Sequence, residues 1–167
     1  MTTTPVDHFQ RIQTSALYPP FLDLLKQLVL NCEARGARFY VISGLRTFQE
    51  QAALYAQGRT KKPGKIVTKA RAGQSAHNYG IAADLCRDAD MQRDGLQPDW
   101  DLESYRLMAE EAVKLGLEAA FYWTSFKEGP HVQLNLASKK LSLDMLCDAY
   151  LKGKQAAVVD LLNKHSW

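Results

Sequence analysis

The sequence predicts an α+β fold, in which a small and mainly antiparallel sheet carries the functional site and helices pack against it. Two segments, residues 21–35 and 101–115, place apolar side chains at helical spacing. Each is followed by a glycine, Gly36 or Gly116, the residue that most often ends a helix. Short segments of β-forming residues lie between and after them. Because helices and sheets must each bury an apolar face, we expect the helices to cover one face of the sheet.

The first strand and the helix after it have clear local signals. Residues 39–42, Phe-Tyr-Val-Ile, are typical of a buried strand. Thr47 and Glu50 then have the spacing of a capping box, in which each side chain caps the other residue's backbone amide. We therefore expect a helix from Thr47 to about residue 57, with Gly58 at its end.

A long loop rich in basic residues, residues 59–74, follows this helix and is called the basic loop below. It contains no acidic residue and six basic ones, namely Arg59, Lys61, Lys62, Lys65, Lys69 and Arg71. A run of like charges usually forms a solvated surface. Long loops beside a site often take part in function, so the alternative is that the basic loop attracts the carboxylates of a substrate.

Two stretches of the sequence contain residue types that bind a metal ion. The first contains His77 and Asp84, and the second contains Glu128 and His131. Zn²⁺ is well served by three nitrogen or oxygen ligands that leave a fourth position for water, and a nearby carboxylate can take that water's proton. We therefore interpret the two stretches as the halves of a catalytic site for one zinc ion and expect a hydrolase.

The spacing of these residues restricts how they can meet. On one straight strand, His77 and Asp84 would lie about 23 Å apart at about 3.3 Å per residue, and on opposite faces. The turn-forming residues between them also disfavour a helix. We therefore expect His77 to end a loop, a bend to follow, and residues 80–85 to form a strand that carries Asp84. Residues 131–136 alternate between polar and apolar and predict a half-buried strand, preceded across a Gly-Pro turn by Glu128.

The chain between the two stretches contains one further helix and then an aromatic segment. Residues 87–98 are polar and rich in turn-forming residues, and the helix at 101–115 follows them. Residues 117–126 should then bring the chain back to His131. The three aromatic residues at 121–123 either belong to the core or form a platform for a sugar or peptide, and aromatic residues at this density favour the core.

The end of the chain predicts two helices, over residues 138–151 and 154–164, with a break at Gly153. Together they are too short to form a core of their own, so we expect them to pack against the rest of the protein. A chain of 167 residues is long enough for one substantial core. We therefore interpret residues 1–167 as a single catalytic domain with its core over residues 17–136.

The motif at residues 75–84, Ser-x-His-x-x-Gly-x-Ala-x-Asp, and the later Glu-Gly-Pro-His at residues 128–131 resemble a known family. They are similar to the zinc peptidases of the D-alanyl-D-alanine carboxypeptidase and dipeptidase group. Within that group, the chain looks most like the L-alanyl-D-glutamate endopeptidases found as phage endolysins. The resemblance covers residues 17 to 136 approximately, and includes Ser-Gly-Leu-Arg-Thr at residues 43–47.

This resemblance implies a role for each residue that matches the family's motifs. His77, Asp84 and His131 would bind one zinc ion, and Glu128 would be the general base. Three further residues would contact the substrate, namely Arg46, Gln51 and Ser75.

The sequence also departs from the family pattern at two places. Many relatives carry Trp-Gly-Gly-Asp-Trp where this chain has Ala-Ala-Phe-Tyr-Trp at residues 119–123, which changes the wall of the pocket. Many relatives use Asp where this chain has Glu128, which changes the reach of the base by one methylene group and leaves its chemistry the same.

Three functions follow from the resemblance and its alternatives. The first is a peptidase that cleaves the stem peptide of peptidoglycan between L-alanine and D-glutamate. The second uses the same site as a D-Ala-D-Ala carboxypeptidase or dipeptidase. The third is a wall-binding module without catalysis, which would have a closed site of four zinc ligands; the presence of Glu128 beside an open position opposes it.

Composition restricts the partners and the location of the protein. A net charge of +3 is too small to indicate nucleic acid binding, and no apolar stretch approaches the length of a membrane span, so we expect neither partner. We also expect a monomer. Cys32, Cys86 and Cys147 show no paired spacing and indicate reduced thiols. The first residues lack the features of a signal peptide. We therefore expect synthesis in a host cytoplasm and, by analogy with phage lysins, release to the wall through a holin pore.

Overall fold

The structure is a computed structural model that describes residues 6–167, and it confirms the predicted α+β fold. The features that argue against a signal peptide lie in part at residues 1–5, outside the described residues. The helices and strands are α1 (Pro19–Ala34), β1 (Phe39–Ser43), α2 (Phe48–Ala56), β2 (Ala82–Asp88), β3 (Pro98–Asp99), α3 (Arg106–Lys114), β4 (Leu117–Ala119), β5 (His131–Leu134) and α4 (Leu143–Leu162).

The sheet is antiparallel throughout, as predicted. Its strand order is β1-β2-β5-β4, and the short β3 pairs with the far end of β2. In the centre, β2 and β5 pair so that Asp84 lies opposite His131. On the other side of β2, the end of β1 places Ser43 opposite Asp84. The two central strands therefore bring one residue of each metal-binding stretch to the same place.

Helices α1 and α3 contact each other and supply much of the hydrophobic core. Phe21, Leu25 and Leu28 of α1 are fully buried, as is Met108 of α3, and they join one cluster with apolar strand residues such as Leu85. Full burial of each such side chain contributes roughly 1.5–3 kcal/mol. The core therefore supports the sheet from the helical side and leaves the ends of β2 and β5 available for a site.

The predicted helices before the first metal-binding stretch are confirmed, with one change of boundary. Helix α1 begins at Pro19 rather than at residue 21, because proline suits the first turn of a helix, where no backbone N–H bond is required. The capping box of α2 is present: Glu50 N–H donates to Thr47 Oγ1 (3.1 Å) and Thr47 N–H donates to Glu50 Oε2 (2.7 Å).

The predicted strand at residues 80–85 begins too early. Residues Ala76–Tyr79 form a 3₁₀ turn, and Gly80 closes it with a positive φ of 69°. A Cβ atom at this position would lie 2.7 Å from the carbonyl oxygen of Ala16, so the close approach as well as the backbone conformation requires glycine. The strand itself starts at Ala82 and continues to Asp88.

The region between the two metal-binding stretches differs from the prediction in two respects. The polar stretch at residues 87–98 supplies the end of β2 and the start of β3. The helix predicted from residue 101 begins as a 3₁₀ turn over Leu102–Tyr105 and becomes α-helical at Arg106.

The C-terminal helix packs against the rest of the protein. It begins at Leu143, later than predicted, and the predicted break is confirmed by non-helical backbone angles at Gly153 and the next residue. Tyr150 stacks on Phe48 of α2 with ring centroids 4.5 Å apart. Beyond the break, Gln155 Nε2 donates to the carbonyl oxygen of Tyr79 (2.9 Å). Helix α4 thus lies against the turn that precedes β2.

Two further predictions concern properties of the whole chain. Within residues 6–167, the helices are too short or too polar for any of them to cross a membrane. Cys32 and Cys86 are buried, Cys147 is half-buried, and all three are free thiols.

Candidate metal centre

Three side chains converge where the first residue of β5 pairs with β2. His77 Nε2 lies 3.3 Å from Asp84 Oδ1 and 3.2 Å from His131 Nδ1, and His131 Nδ1 lies 3.2 Å from Asp84 Oδ1. A tetrahedral zinc ion about 2.0–2.1 Å from each donor would hold its donors about 3.3 Å apart. The three donor atoms therefore form a triangle of the size that such an ion requires.

Local structure explains how residues distant in sequence meet here. Asp84 and His131 are register partners on β2 and β5, so their side chains are neighbours on one face of the sheet. His77 belongs to the 3₁₀ turn, and Gly80 reverses the chain so that the turn leads into β2. Arg46 N–H donates to the carbonyl oxygen of His77 (3.0 Å) and fixes the turn to the segment between β1 and α2.

The hydrogen bonds of the two histidines assign their tautomers. His77 Nδ1 lies 2.7 Å from the carbonyl oxygen of Gly44, and His131 Nε2 lies 2.9 Å from Gln133 Oε1. Both partners only accept hydrogen bonds, so each of these ring nitrogens carries the proton. The other nitrogen of each ring therefore presents a lone pair to the centre of the triangle.

This donor set fits a divalent cation. Two nitrogen lone pairs and a carboxylate oxygen repel one another unless positive charge lies between them. Two imidazoles and one carboxylate are also a common ligand set for zinc in enzymes that keep one position open. We conclude that His77, Asp84 and His131 could hold a metal ion.

Charge at the site shifts the pKa values of the converging groups. Burial alone would raise the pKa of Asp84, but the two imidazoles beside it hold that pKa well below its usual range. Burial alone would lower the pKa of His131, but the Asp84 carboxylate beside it stabilises the protonated ring, which more than offsets burial and raises the pKa. A proton and a metal ion would therefore compete for Nδ1 of His131.

Glu128 lies beside the metal-binding triangle and is not part of it. The converging donor atoms belong to the other three residues, whereas Glu128 is half-buried on the wall of the adjoining cleft. Burial raises the pKa of its carboxyl group, and the nearby Asp84 adds to this shift. A carboxylate with a raised pKa is a better proton acceptor than an ordinary surface glutamate, provided that it is deprotonated.

The cleft beside the triangle has a volume of about 770 Å³. Its lining includes the part of the basic loop around Val67 and Lys69, and the segment from Trp123 to Phe126. These two segments are close to each other, since Lys69 Nζ lies 5.5 Å from the centre of the Phe126 ring. Trp100, which is 59% exposed, lines the cleft as well. The volume of this cleft is in the range of clefts that bind small molecules and short peptides.

Arg46 and Ser75 line the cleft, as their predicted contact with a substrate requires. Arg46 Nη2 lies 3.5 Å from Asp84 Oδ2, the carboxylate oxygen that points away from the triangle. Its Nη1 donates to Gln51 Oε1 (3.0 Å). The guanidinium group is therefore held beside the candidate metal site.

Gln51 does not lie where its predicted role would place it. Its side chain is 0% exposed, because this face of α2 packs against the start of the site and the basic loop. Its Nε2 donates to the carbonyl oxygen of Ala70 (2.8 Å), while its Oε1 accepts from Arg46. Gln51 thus supports Arg46 and the basic loop from behind, and the expectation that it contacts a substrate is corrected to this supporting position.

The aromatic segment divides between core and cleft. Phe121 is buried, as the preferred prediction had it, whereas Tyr122 is exposed. Trp123 lines the cleft with its ring centre 5.3 Å from that of His131. The chain therefore does return to the site through this segment.

Sequence reasoning gave no role to two residues that belong to the site. Asn78 Nδ2 donates to the carbonyl oxygen of Arg46 (2.8 Å), and Gln133 contacts His131. The alternation of residues 131–136 already indicated that Gln133 shares a face with His131, so that signal was available. For Asn78, the sequence indicated only a residue that favours turns.

Comparison with known proteins identifies relatives by sequence. Residues 14–132 match the protein family described as VanY, D-alanyl-D-alanine carboxypeptidase. The chain is 43% identical over 122 residues to the peptidoglycan L-alanyl-D-glutamate endopeptidase CwlK of Bacillus subtilis. This alignment covers 67% of the present chain and 68% of CwlK.

Solved structures share the fold at lower sequence identity. The L-Ala D-Glu endopeptidase ChiX of Serratia marcescens aligns with a TM-score of 0.53 at 19% identity, over 75% of this chain and 86% of that one. A vancomycin-resistance D,D-pentapeptidase VanY in complex with Zn(II) aligns with a TM-score of 0.51 at 21% identity, over 75% and 80%. The LD-carboxypeptidase LdcB aligns with a TM-score of 0.53 at 20% identity, over 81% and 79%.

Removal of one ligand should abolish tight metal binding. We expect His77→Ala and Asp84→Ala to lose zinc, because two remaining donors bind the ion much more weakly than three. The zinc content of the purified variants, measured by mass spectrometry of the element, tests this. His165→Ala, which removes a histidine near the C-terminus, is the matched control and should retain zinc. Full zinc stoichiometry in either site variant would contradict the assignment.

Proposed function

We infer that this chain, which belongs to the VanY D-alanyl-D-alanine carboxypeptidase family, is a zinc-dependent peptidase that acts on peptidoglycan. The single observation that carries this function is the arrangement around the Asp84–His131 pair of β2 and β5. A triangle of metal-binding atoms adjoins a cleft, with Glu128 and Arg46 among the residues that line it. A non-catalytic binding module has no need of an acidic side chain and a guanidinium group at that place.

We propose one zinc ion, held by His77, Asp84 and His131. When bound, zinc supplies Lewis acidity, which polarises the scissile carbonyl group and lowers the pKa of water at the site. The three ligands come from three separate parts of the chain, so only the folded protein assembles them.

Glu128 and Arg46 supply the remaining chemistry in this proposal. Glu128 accepts the proton of the attacking water and then delivers it to the leaving amine nitrogen. Arg46, whose guanidinium is held by Gln51 and lies 3.5 Å from Asp84, places positive charge beside the reacting carbonyl or a substrate carboxylate. Ser75 lines the cleft and contacts the bound peptide.

The proposed substrate is the stem peptide of peptidoglycan, cleaved between L-alanine and D-glutamate. The support for this bond is the 43% identity to an enzyme that carries this activity in its name. The family description favours a second candidate, a D-Ala-D-Ala carboxypeptidase or dipeptidase that uses the same site on a different bond.

We further propose a biological setting for this activity. The motifs resemble those of phage endolysins, which would make the protein a bacteriolytic enzyme that is released through a holin and works as a monomer. The packing of α4 on the turn before β2 supports residues 1–167 as one catalytic domain, with the C-terminal segment as part of it.

Product analysis decides between the two bonds. Incubation of the protein with purified peptidoglycan should release stem peptides that begin with D-glutamate, detected by mass spectrometry, and a chelator should abolish their release. Release of free D-alanine or D-alanyl-D-alanine instead would identify the second candidate. No product with zinc present would contradict both.

Substitution of Glu128 tests its role as general base. Glu128→Gln should retain zinc and fold but lose about 10²–10⁴-fold in kcat, because an amide cannot accept the proton. Glu128→Asp should keep partial activity, since it offers the same carboxylate from one methylene group further back. Loss of zinc in the glutamine variant would make Glu128 a ligand, and near-normal turnover would place the base elsewhere.

The exposed lysines of the basic loop should affect wall binding more than chemistry. Lys61, Lys62 and Lys65 are exposed, and Lys69 is the lysine of this loop that lines the cleft. Replacement of Lys61, Lys62 and Lys65 by alanine should weaken activity on intact wall at moderate salt, because local positive charge attracts an anionic polymer. Activity on short soluble peptides should stay unchanged.

The matched control removes three exposed lysines elsewhere, Lys26, Lys152 and Lys164, for the same change in net charge. Activity on wall should then stay near that of the unchanged protein. An equal loss on wall and on soluble peptide in the loop variant would show that the loop shapes the site instead.

A further inference from the structure

Gln133 connects the candidate metal site to a carboxylate on the next strand. Its Oε1 lies 2.9 Å from His131 Nε2, and its Nε2 donates to Glu118 Oε2 at 3.0 Å. Gln133 and Glu118 are register partners on β5 and β4, and Gln133 follows His131 by two residues on the same face. The sheet therefore holds the three side chains in one row.

The row has a fixed direction because its members differ as donors and acceptors. A carboxylate only accepts hydrogen bonds, so Glu118 takes the NH₂ end of the Gln133 amide. The carbonyl end of that amide must then face His131. Since this oxygen also only accepts, it requires a proton on His131 Nε2 and leaves the lone pair on Nδ1, the atom that faces His77 and Asp84.

We propose that Gln133 is a positioning residue for His131, and that Glu118 acts through Gln133 by fixing the orientation of its amide. Without Glu118, the amide could present either end to the ring, and the wrong end would favour the tautomer whose lone pair points away from the metal. This role rests on the proposed metal function of His131. Neither Gln133 nor Glu118 is a ligand in this arrangement.

Gln133 also lines the cleft, so contact with a substrate is the competing role. The two roles differ in what they change. A positioning residue affects the affinity for zinc in the absence of any substrate, whereas a substrate contact affects KM and leaves the affinity for zinc unchanged.

The experiment measures the zinc dissociation constant by competition with a chelator, without substrate. Gln133→Leu, which is close in size and removes the acceptor, should weaken zinc binding about 10–100-fold, as outer hydrogen-bond partners of metal ligands do. Glu118→Gln should cause a smaller loss, because the Gln133 amide is then free to turn. Gln27→Leu on the exposed side of α1 removes an amide away from the site and should change nothing.

The double variant Glu118→Gln/Gln133→Glu separates an effect of the hydrogen bond to His131 from an effect of packing. It exchanges the two groups, so that a carboxylate accepts from both His131 and the new amide, and the net charge is preserved. Zinc affinity should recover towards that of the unchanged protein. A structural role in packing alone would give no such recovery.

Two results would overturn the proposal. Unchanged zinc affinity in Gln133→Leu with a raised KM would make Gln133 a substrate contact. Unchanged zinc affinity in Glu118→Gln, with its free energy of unfolding intact, would show that Glu118 has no effect on His131 through Gln133. Failure of the proposed function is distinguishable, because the unchanged protein would then show no zinc binding that depends on His77.

Discussion

The pairing of Asp84 with His131 across the two central strands is the constraint on which the rest of the site depends. Antiparallel register places these two side chains side by side, and the Gly80 turn then needs only to bring His77 back over them. The result concentrates two lone pairs and a carboxylate in a buried place. Such an arrangement is unfavourable by itself, and its hydrogen bonds to Gly44 and Gln133 hold it open for a cation.

The sequence was sufficient for the parts of this arrangement that local chemistry determines. The spacing of His77 and Asp84 excluded a straight strand, and the capping box placed α2 correctly, because both depend on neighbouring residues alone. The two-residue strand β3 has no periodicity to detect, so its pairing with β2 could be found only in three dimensions. The start of β2 was missed because the left-handed backbone of Gly80 depends on its close contact with Ala16.

Gln51 shows a second limit of reading function from sequence. The motif places it near the site, and it is near, but the direction of its side chain depends on how α2 is rotated against its neighbours. That rotation makes its amide a junction between Arg46 and the carbonyl of Ala70. A loop without regular secondary structure is thereby joined to the guanidinium group by one buried side chain. Gln51 would therefore affect catalysis indirectly. It positions Arg46, and the charge of the Arg46 guanidinium would stabilise charge that develops on the reacting carbonyl.

The hydrogen bond from Gln155 to the carbonyl oxygen of Tyr79 connects the C-terminal segment to the turn that carries His77. That carbonyl belongs to the same turn as His77, so the half of α4 beyond Gly153 and a metal ion held by His77 would both stabilise one short piece of backbone. By thermodynamic linkage, whatever free energy the docked segment adds to metal binding, the metal adds to docking of the segment. Val158 and Leu162, beyond the break, are fully buried in the hydrophobic core, so this linkage would join the core itself to the turn that carries His77.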